Sequence, residues 1–164
     1  VSGNYDTIIA GMSITAERDE VIDFTQDYFP PSPSVYMGMS GSDVDLEGGV
    51  IAAQTATIQA GYVAESGATL VEFATAEETI SAVQNGEADA VLADGDYLAS
   101  IIAESGGEFA NVGEVSIGGG VGMGIRESDG DLKATMDKAI SSMKEDGSLN
   151  ALIKKWFGND ANTF

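Results

Sequence analysis

The sequence predicts an α/β fold in two lobes, each a mainly parallel sheet flanked by helices. Three observations carry that reading. Short apolar or β-branched runs alternate with helix-length segments along most of the 164 residues. Residues 49–116 make a self-contained β-α-β-α-β-α-β series. Extended segments at 34–39 and 117–125 flank that series, the pattern of one domain inserted into another with two crossing strands as a hinge.

In chain order, residues 5–10 (YDTIIA) read as a buried strand and 15–21 as a short helix. Residues 34–39 (SVYMGM) are extended and follow the proline-rich PPSP. Residues 49–54 are a strand, 57–66 a helix ending near Gly67, and 69–73 a strand. Residues 75–85 form a helix with both ends marked: TAEE places Thr75 at the N-cap with Glu78 three residues on, and Asn85-Gly86 supplies the stop. Residues 88–93 (ADAVLA) read as a buried strand, 95–105 as a helix closed by Gly106-Gly107, and 111–116 and 120–125 as further strands. Leu132, Met136, Ala139, Ile140 and Met143 recur at three and four residues, an apolar helical stripe. Asp146-Gly147 ends that helix, Ser148 caps the next, and Leu149, Leu152, Ile153 and Trp156 share its face.

Composition narrows the function. The formal net charge is −20 and unevenly spread. Residues 1–125 hold 20 Asp and Glu against a single cation, Arg18; residues 126–164 hold seven acids against six cations. A chain this acidic is repelled by nucleic acid phosphates and anionic headgroups, so no nucleic acid partner is expected. The acidity also suits a salty environment, where ions screen the self-repulsion. Without Cys or His there is no thiol nucleophile, no imidazole base and no zinc site of the usual kind. GSDVDLEGG at 41–49 and ESDGDLK at 127–133 lack the ligand spacing of a calcium loop and read as a turn and a helix start. No metal and no cofactor is expected. No run of 18 apolar residues is present to span a bilayer, and VSGNYDTIIAG has neither part of a signal peptide, whether because none was made or because it was removed.

Three strand-to-helix turns carry candidate chemistry. GMSIT after the first strand presents backbone N–H groups and hydroxyls where α/β sheets bind ligands, and Arg18 is one helical turn away. A guanidinium matches a carboxylate with two parallel charge-assisted bonds. Pairing of Arg18 with Glu17, Asp19 or Glu20 on the surface is the other reading. Asp94 ends the strand ADAVLAD, where a carboxylate suits an ammonium; spacing alone favours an N-cap for the following helix instead. QTATIQ at 54–59 could hold an anion at a helix start, but it lacks the glycines of a phosphate loop. GGGVGMG at 118–124 runs into a strand and reads as a flexible crossing.

The stretch YDTIIAGMSITAERDEVIDFTQDYF resembles the signature D-x-I-I-x-x-M-S-I-T-x-x-R-x-x-x-x-D-F-[ST]-x-x-Y of the extracytoplasmic substrate-binding proteins of polar amino acid ABC transporters, bacterial solute-binding protein family 3. DLEGG, NGEADAVLAD, GMGIRESDGDL and DGSLNALIKKWFG match further family motifs in order, so the resemblance covers almost the whole chain.

It implies a two-lobe periplasmic-binding-protein-like fold of type II, with lobe 1 from residues 1–38 and 118–164 and lobe 2, inserted, from 39–117. It implies that Arg18 grips a ligand α-carboxylate with the hydroxyl of Ser13, and that Gly11 offers backbone polar groups to the α-ammonium. Asp94 would pair with that ammonium from the other lobe, while Thr57 and the N–H groups of Ile58 and Gln59 complete the carboxylate site. The function implied is capture of a free amino acid by lobe closure and delivery to a membrane permease outside the cytoplasm, without catalysis.

Two departures stand out. The family's "GTT" turn reads Ala56-Thr57-Ile58 here. Family members also begin with a further stretch that builds the start of lobe 1, so lobe 1 is expected to be incomplete and prone to self-pairing through an open sheet edge. The alternatives are an enzyme on the same scaffold of the cyclohexadienyl dehydratase type, a ligand-sensing module, and a non-binding remnant.

Overall fold

The computed structural model describes residues 4–159 and 161–164, with fourteen elements. They run β1 (Thr7–Ile8), α1 (Ala16–Asp19), β2 (Asp23–Phe24), β3 (Ser34–Met39), β4 (Val50–Gln54), α2 (Ile58–Glu65), β5 (Thr69–Phe73) and α3 (Ala76–Gln84). Then come β6 (Ala90–Asp94), α4 (Gly95–Glu104), β7 (Phe109–Val115), β8 (Gly124–Ile125), α5 (Gly130–Glu145) and α6 (Ser148–Phe157).

The chain divides into two compact units, Val1–Pro31 with Gly118–Phe164, and Ser32–Ile117. The first crossing therefore lies at 31/32 rather than at the expected 38/39. The reason is pairing: β3 lies between β6 and β7 and bonds to both, so the segment expected to belong to lobe 1 is built into the other sheet.

The unit Ser32–Ile117 carries a five-stranded sheet in the order β5-β4-β6-β3-β7. Its two faces follow from the two-residue period of strands. Val35, Met37, Ala52 and Val91 point to one face, where Ala82 and Val83 of α3 and Leu98 of α4 cover them. Tyr36, Ile51, Ala90 and Leu92 point to the other, against Val63 of α2. Helices on both faces explain why these strands read as continuous apolar runs. Strand directions are mixed: β4 is parallel to β5 and β6, but β3 is antiparallel to β6 and β7. The parallel part is the β-α-β series, and the antiparallel part is the crossing strand that the periodicity did not assign to this sheet.

The other unit has a small sheet, β1-β8-β2, beside α5 and α6; it is antiparallel throughout rather than mainly parallel as expected, because β8 pairs antiparallel with both β1 and β2. Ile140, Leu149 and Ile153 pack with Tyr28, Phe29, Met123 and Met143. Gln26 fastens α5: its N–H donates to the Asp137 carboxylate, and its amide donates to the Asp137 carbonyl and the Ser141 hydroxyl, each at 2.7 Å. Two further expectations do not hold. The first strand is not buried: β1 lies at the sheet edge and leaves Ile8 44% and Ile9 59% exposed. Ser148 does not cap α6: Gly147 takes that position with a left-handed backbone, and the Asp146 carboxylate accepts from Ser148 N–H at 2.8 Å.

Candidate functional site

Gly11, Ser13 and Arg18 belong to the first unit. Thr15 caps α1, its hydroxyl oxygen accepting from the Arg18 N–H at 3.2 Å. That single turn brings the guanidinium back over GMSIT, where Nη1 donates to the Ser13 carbonyl at 2.9 Å. Arg18 and Ser13 are thus together, and one of the guanidinium's five donors is committed to holding the turn.

The turn is fixed from its other side by the glycine-rich segment. Ile14 N–H donates to the Gly120 carbonyl at 2.9 Å, Gly119 N–H to the Ile14 carbonyl at 3.0 Å, and Gly122 N–H to the Met12 carbonyl at 3.2 Å. Val121 also bridges to Ser13 and Phe29. The segment expected to be a flexible crossing is a paired strap. Its glycines answer to close approach: a Cβ on Gly120 would stand 2.6 Å from the Phe29 carbonyl oxygen. Gly11 has no such constraint, since a Cβ there would meet nothing within 4 Å. What GMSIT offers is main chain held at a fixed place beside a cation.

Thr57, Ile58, Gln59 and Asp94 belong to the second unit. The chain leaves β4 toward β5 on one side and leaves β6 toward β7 on the other, so the carboxyl ends of β4 and β6 flank a topological switch point. The Thr57 turn follows β4, and Asp94 ends β6. Thr57 caps α2: its oxygen accepts from Ala60 N–H at 3.1 Å, and its proton goes to the Gln54 carbonyl at 2.7 Å. The hydroxyl is occupied within the turn, and Ile58 and Gln59 supply first-turn N–H groups for which the helix itself provides no carbonyl partner.

Asp94 occupies the N-cap position of α4, yet its side chain makes no cap bond. Its Oδ1 accepts from Gln59 Nε2 at 2.7 Å instead, and the same amide donates to the Ser34 hydroxyl at 3.1 Å. The N-cap role favoured by spacing is therefore absent. The corner is set by Gly95, whose N–H donates to the Pro33 carbonyl at 3.0 Å and whose Cβ, if present, would lie 2.6 Å from that oxygen. Asp94 keeps contact with solvent, but its surroundings desolvate it and raise its pKa; the bond from Gln59 pulls the other way, and the charge of Asp96 adds to the rise.

The side chains of Gln59 and Ser34 were missed by sequence reasoning, which used Gln59 only for its N–H. The signal was available: Gln59 and Val63 are four apart, so they share the inward face of α2, and a polar residue on an inward face needs partners.

Ala56 precedes the cap with φ +63°, a left-handed backbone where an L residue is strained by about 1–2 kcal/mol.

Among the described residues, no group of three or more Asp or Glu could hold a metal ion, and no helix is long and apolar enough to cross a membrane.

The family model described as bacterial extracellular solute-binding proteins, family 3, matches residues 1–159. A probable histidine-binding protein of Campylobacter jejuni is 29% identical over 167 residues, covering 94% of this chain and 63% of the relative. A crystal structure of a periplasmic His/Glu/Gln/Arg/opine family-binding protein from Silicibacter pomeroyi in complex with lysine is 71% identical with a TM-score of 0.95, covering 99% of this chain and 74% of that one. The ancestral amino acid-binding protein AncCDT-1, a precursor of cyclohexadienyl dehydratase, is 25% identical with a TM-score of 0.82, covering 95% of this chain and 70% of that one. The chain spans 60% to 67% of the length of the curated relatives it matches.

Ala56→Gly relieves the left-handed strain at the cost of a more flexible unfolded chain. It is expected to stabilise the protein by about 0.5–1 kcal/mol. That is a rise of about 1–4 °C in the thermal midpoint for a chain of this size. A fall in the midpoint would show that the Cβ of Ala56 contributes packing that outweighs the strain.

Proposed function

The chain belongs to the bacterial extracellular solute-binding proteins of family 3, and from that premise we propose that it serves as the solute-binding component of an amino acid ABC importer, with a basic amino acid, lysine, as its ligand. The observation that carries the choice of ligand is the likeness, at 71% identity over 99% of this chain, to a binding protein whose structure holds lysine. Family membership supports an exported protein that works in the periplasm and docks on a membrane permease.

In this reading the ligand α-carboxylate is received by the Arg18 guanidinium, the Ser13 hydroxyl and the first-turn N–H groups of Ile58 and Gln59, with Thr57 shaping that turn. The α-ammonium goes to Asp94, with the main chain at Gly11 as a further polar partner. One zwitterion held by groups of both units would favour a closed state by its differential affinity for it. The acidic surface would raise the local concentration of a cationic ligand. In this reading no catalysis is involved, and lysine incubated with the protein is expected to be recovered unchanged. The likeness to a dehydratase precursor is the observation that favours the rival, and conversion of a bound ligand would decide for it.

Self-pairing remains part of the proposal. The edge strand β1 and the residue after it, with Ile8 and Ile9 exposed, support association of two copies. Sedimentation of the chain across a hundredfold concentration range is expected to show a dimer, and a monomer throughout would remove this element.

In a thermal melt, lysine at 100 times its dissociation constant is expected to add about 2.7 kcal/mol. For a chain of this size that is roughly 5–10 °C. Arg18→Ala is expected to abolish the shift, since losing one partner of a desolvated charge pair costs about 2–5 kcal/mol. A melt that responds to other amino acids but not to lysine overturns the choice of ligand; one that Arg18→Ala leaves unchanged overturns the site.

A second expectation concerns pH. The ligand ammonium prefers ionised Asp94, and the unliganded carboxyl protonates above its ordinary range. Affinity is therefore complete above the raised pKa and falls as pH drops through it, by up to about tenfold per pH unit. The unliganded fold moves oppositely, because a native state that binds the proton more tightly than the unfolded chain loses stability as pH rises through that window. Calorimetric titration with lysine across the acid range checks the first sign, and Asp94→Asn should flatten the profile.

A further inference from the structure

We propose that Gln59 is a positioning residue for ligand binding: its buried side-chain amide, anchored on Ser34, holds the Asp94 carboxylate off the N-terminus of α4 and fixes it beside the first turn of α2. This rests on the reading that Asp94 receives the ligand ammonium.

The geometry carries it. A carboxylate at an N-cap ordinarily turns back to accept from the N–H groups of its own helix, and one that does so is shielded from a ligand. Asp94 has the N-cap position and makes no such bond. What holds it instead comes from a different helix. Gln59 is 5% exposed and Ser34 2%, and both donors of the amide are used, 2.7 Å to Asp94 Oδ1 and 3.1 Å to the Ser34 hydroxyl. Ser34 and Asp94 are cross-strand partners in the β3–β6 ladder, so the amide bridges two neighbouring positions of one sheet from above. Three elements converge on one carboxylate: β3 through Ser34, α2 through Gln59 and β6 through Asp94 itself.

The chemistry fits an ammonium site. A glutamine amide donates to a carboxylate without neutralising it. A lysine or arginine in its place would hold the group as well but would compete with the ligand's own cation. The Gln59 bond engages Oδ1, and an ionised carboxylate has lone pairs on both oxygens, so Oδ2 can accept from an ammonium while Oδ1 stays anchored. Around Asp94, Gln59 of α2 and Ser34 of β3 present neutral groups, and the charge acting on it comes from Asp96 of α4. Glutamine also explains an otherwise costly choice, a polar side chain buried on the inward face of a helix whose other buried positions are Ala60 and Val63.

The test compares Gln59→Leu, Ser34→Ala and Asp94→Asn with the parent chain. The Asp94 carboxyl is titrated by carbon NMR without ligand, and lysine affinity is measured across the acid range by calorimetry. Removing the amide removes a bond that favours the ionised form. Gln59→Leu should therefore move the Asp94 midpoint upward, move the pH profile of lysine affinity in the same direction, and weaken binding near neutral pH by about tenfold to a hundredfold, the scale of one hydrogen bond to a charge. Ser34→Ala keeps the amide but loosens its anchor and should give a smaller change of the same sign, which keeps the inference testable if Gln59→Leu does not fold. A lowered melting temperature with both midpoints unmoved would mean that Gln59 merely fills the core, and would overturn the inference. If Asp94→Asn leaves lysine affinity intact while Gln59→Leu still moves the Asp94 midpoint, it is the assignment of the ammonium to Asp94 that fails.

Discussion

The antiparallel pairing of β3 with β6 and β7 is the constraint on which the second unit depends. It brings the crossing segment into the sheet, so that the unit begins at Ser32 and the division of the chain is decided by hydrogen bonds rather than by a linker. It sets Ser34 opposite Asp94, giving the buried hydroxyl a place beside the end of β6. It also joins both faces of the sheet at once, since Val35 and Met37 pack under α3 and α4 while Tyr36 packs on the side of α2. A one-residue slip in this register would exchange those faces and carry Ser34 away from Gln59. Core packing and site geometry are therefore specified together.

Much of this unit was legible because its signals are local. Thr75 and Glu78 form both bonds of the capping box that TAEE announces, at 3.0 and 3.2 Å. The ends of α2, α3 and α4 fall within a residue or two of where caps and glycines put them. What was not legible depends on partners distant in sequence. YDTIIA has the composition of a buried strand, but composition does not say that β1 will lie at an edge. GGGVGMG has the composition of a flexible joint, yet Met12, Ile14 and Phe29 supply the partners that make it a strap. Ser148 is a good cap by type, and Asp146 beside a left-handed Gly147 does the work instead. Asp94 fails as a cap for a related reason: its better partner is a side chain 35 residues away.

The charge distribution gives the candidate site its electrostatic setting. Between Ser32 and Ile117 there are 14 acidic residues and no lysine or arginine. A carboxylate embedded in such a field is hard to ionise and attractive to a cation for the same reason, since every neighbouring negative charge raises the cost of one more and the gain from neutralising it. The other unit carries all seven cations of the chain, and Arg126 and Lys144 are committed there to ion pairs with Asp6, Asp129 and Asp27. Arg18 has its Nη1 tied to the Ser13 carbonyl, so part of its orientation is set by GMSIT. A guanidinium steadied by the main chain is prepared for a planar carboxylate.

The neutral amide at Gln59 follows from that setting. In a unit without cations, a carboxylate could be left to solvent, in which case its position is not defined, or turned onto its own helix, in which case it is shielded. Binding an ammonium needs neither. It needs the carboxylate desolvated enough that a cation is preferred to water, and hydrogen-bonded enough that it is still ionised when the cation arrives. Burial and Asp96 act in the first direction and Gln59 in the second, and the two are set on the same oxygen pair by β3, α2 and β6. Strengthening either side alone would spoil the balance: more burial would favour the protonated form, and a charged donor would fill the place of the ligand. A neutral donor with two N–H groups, one for the carboxylate and one for its own anchor, satisfies both demands, and glutamine is the residue with that inventory and the reach of a three-bond side chain.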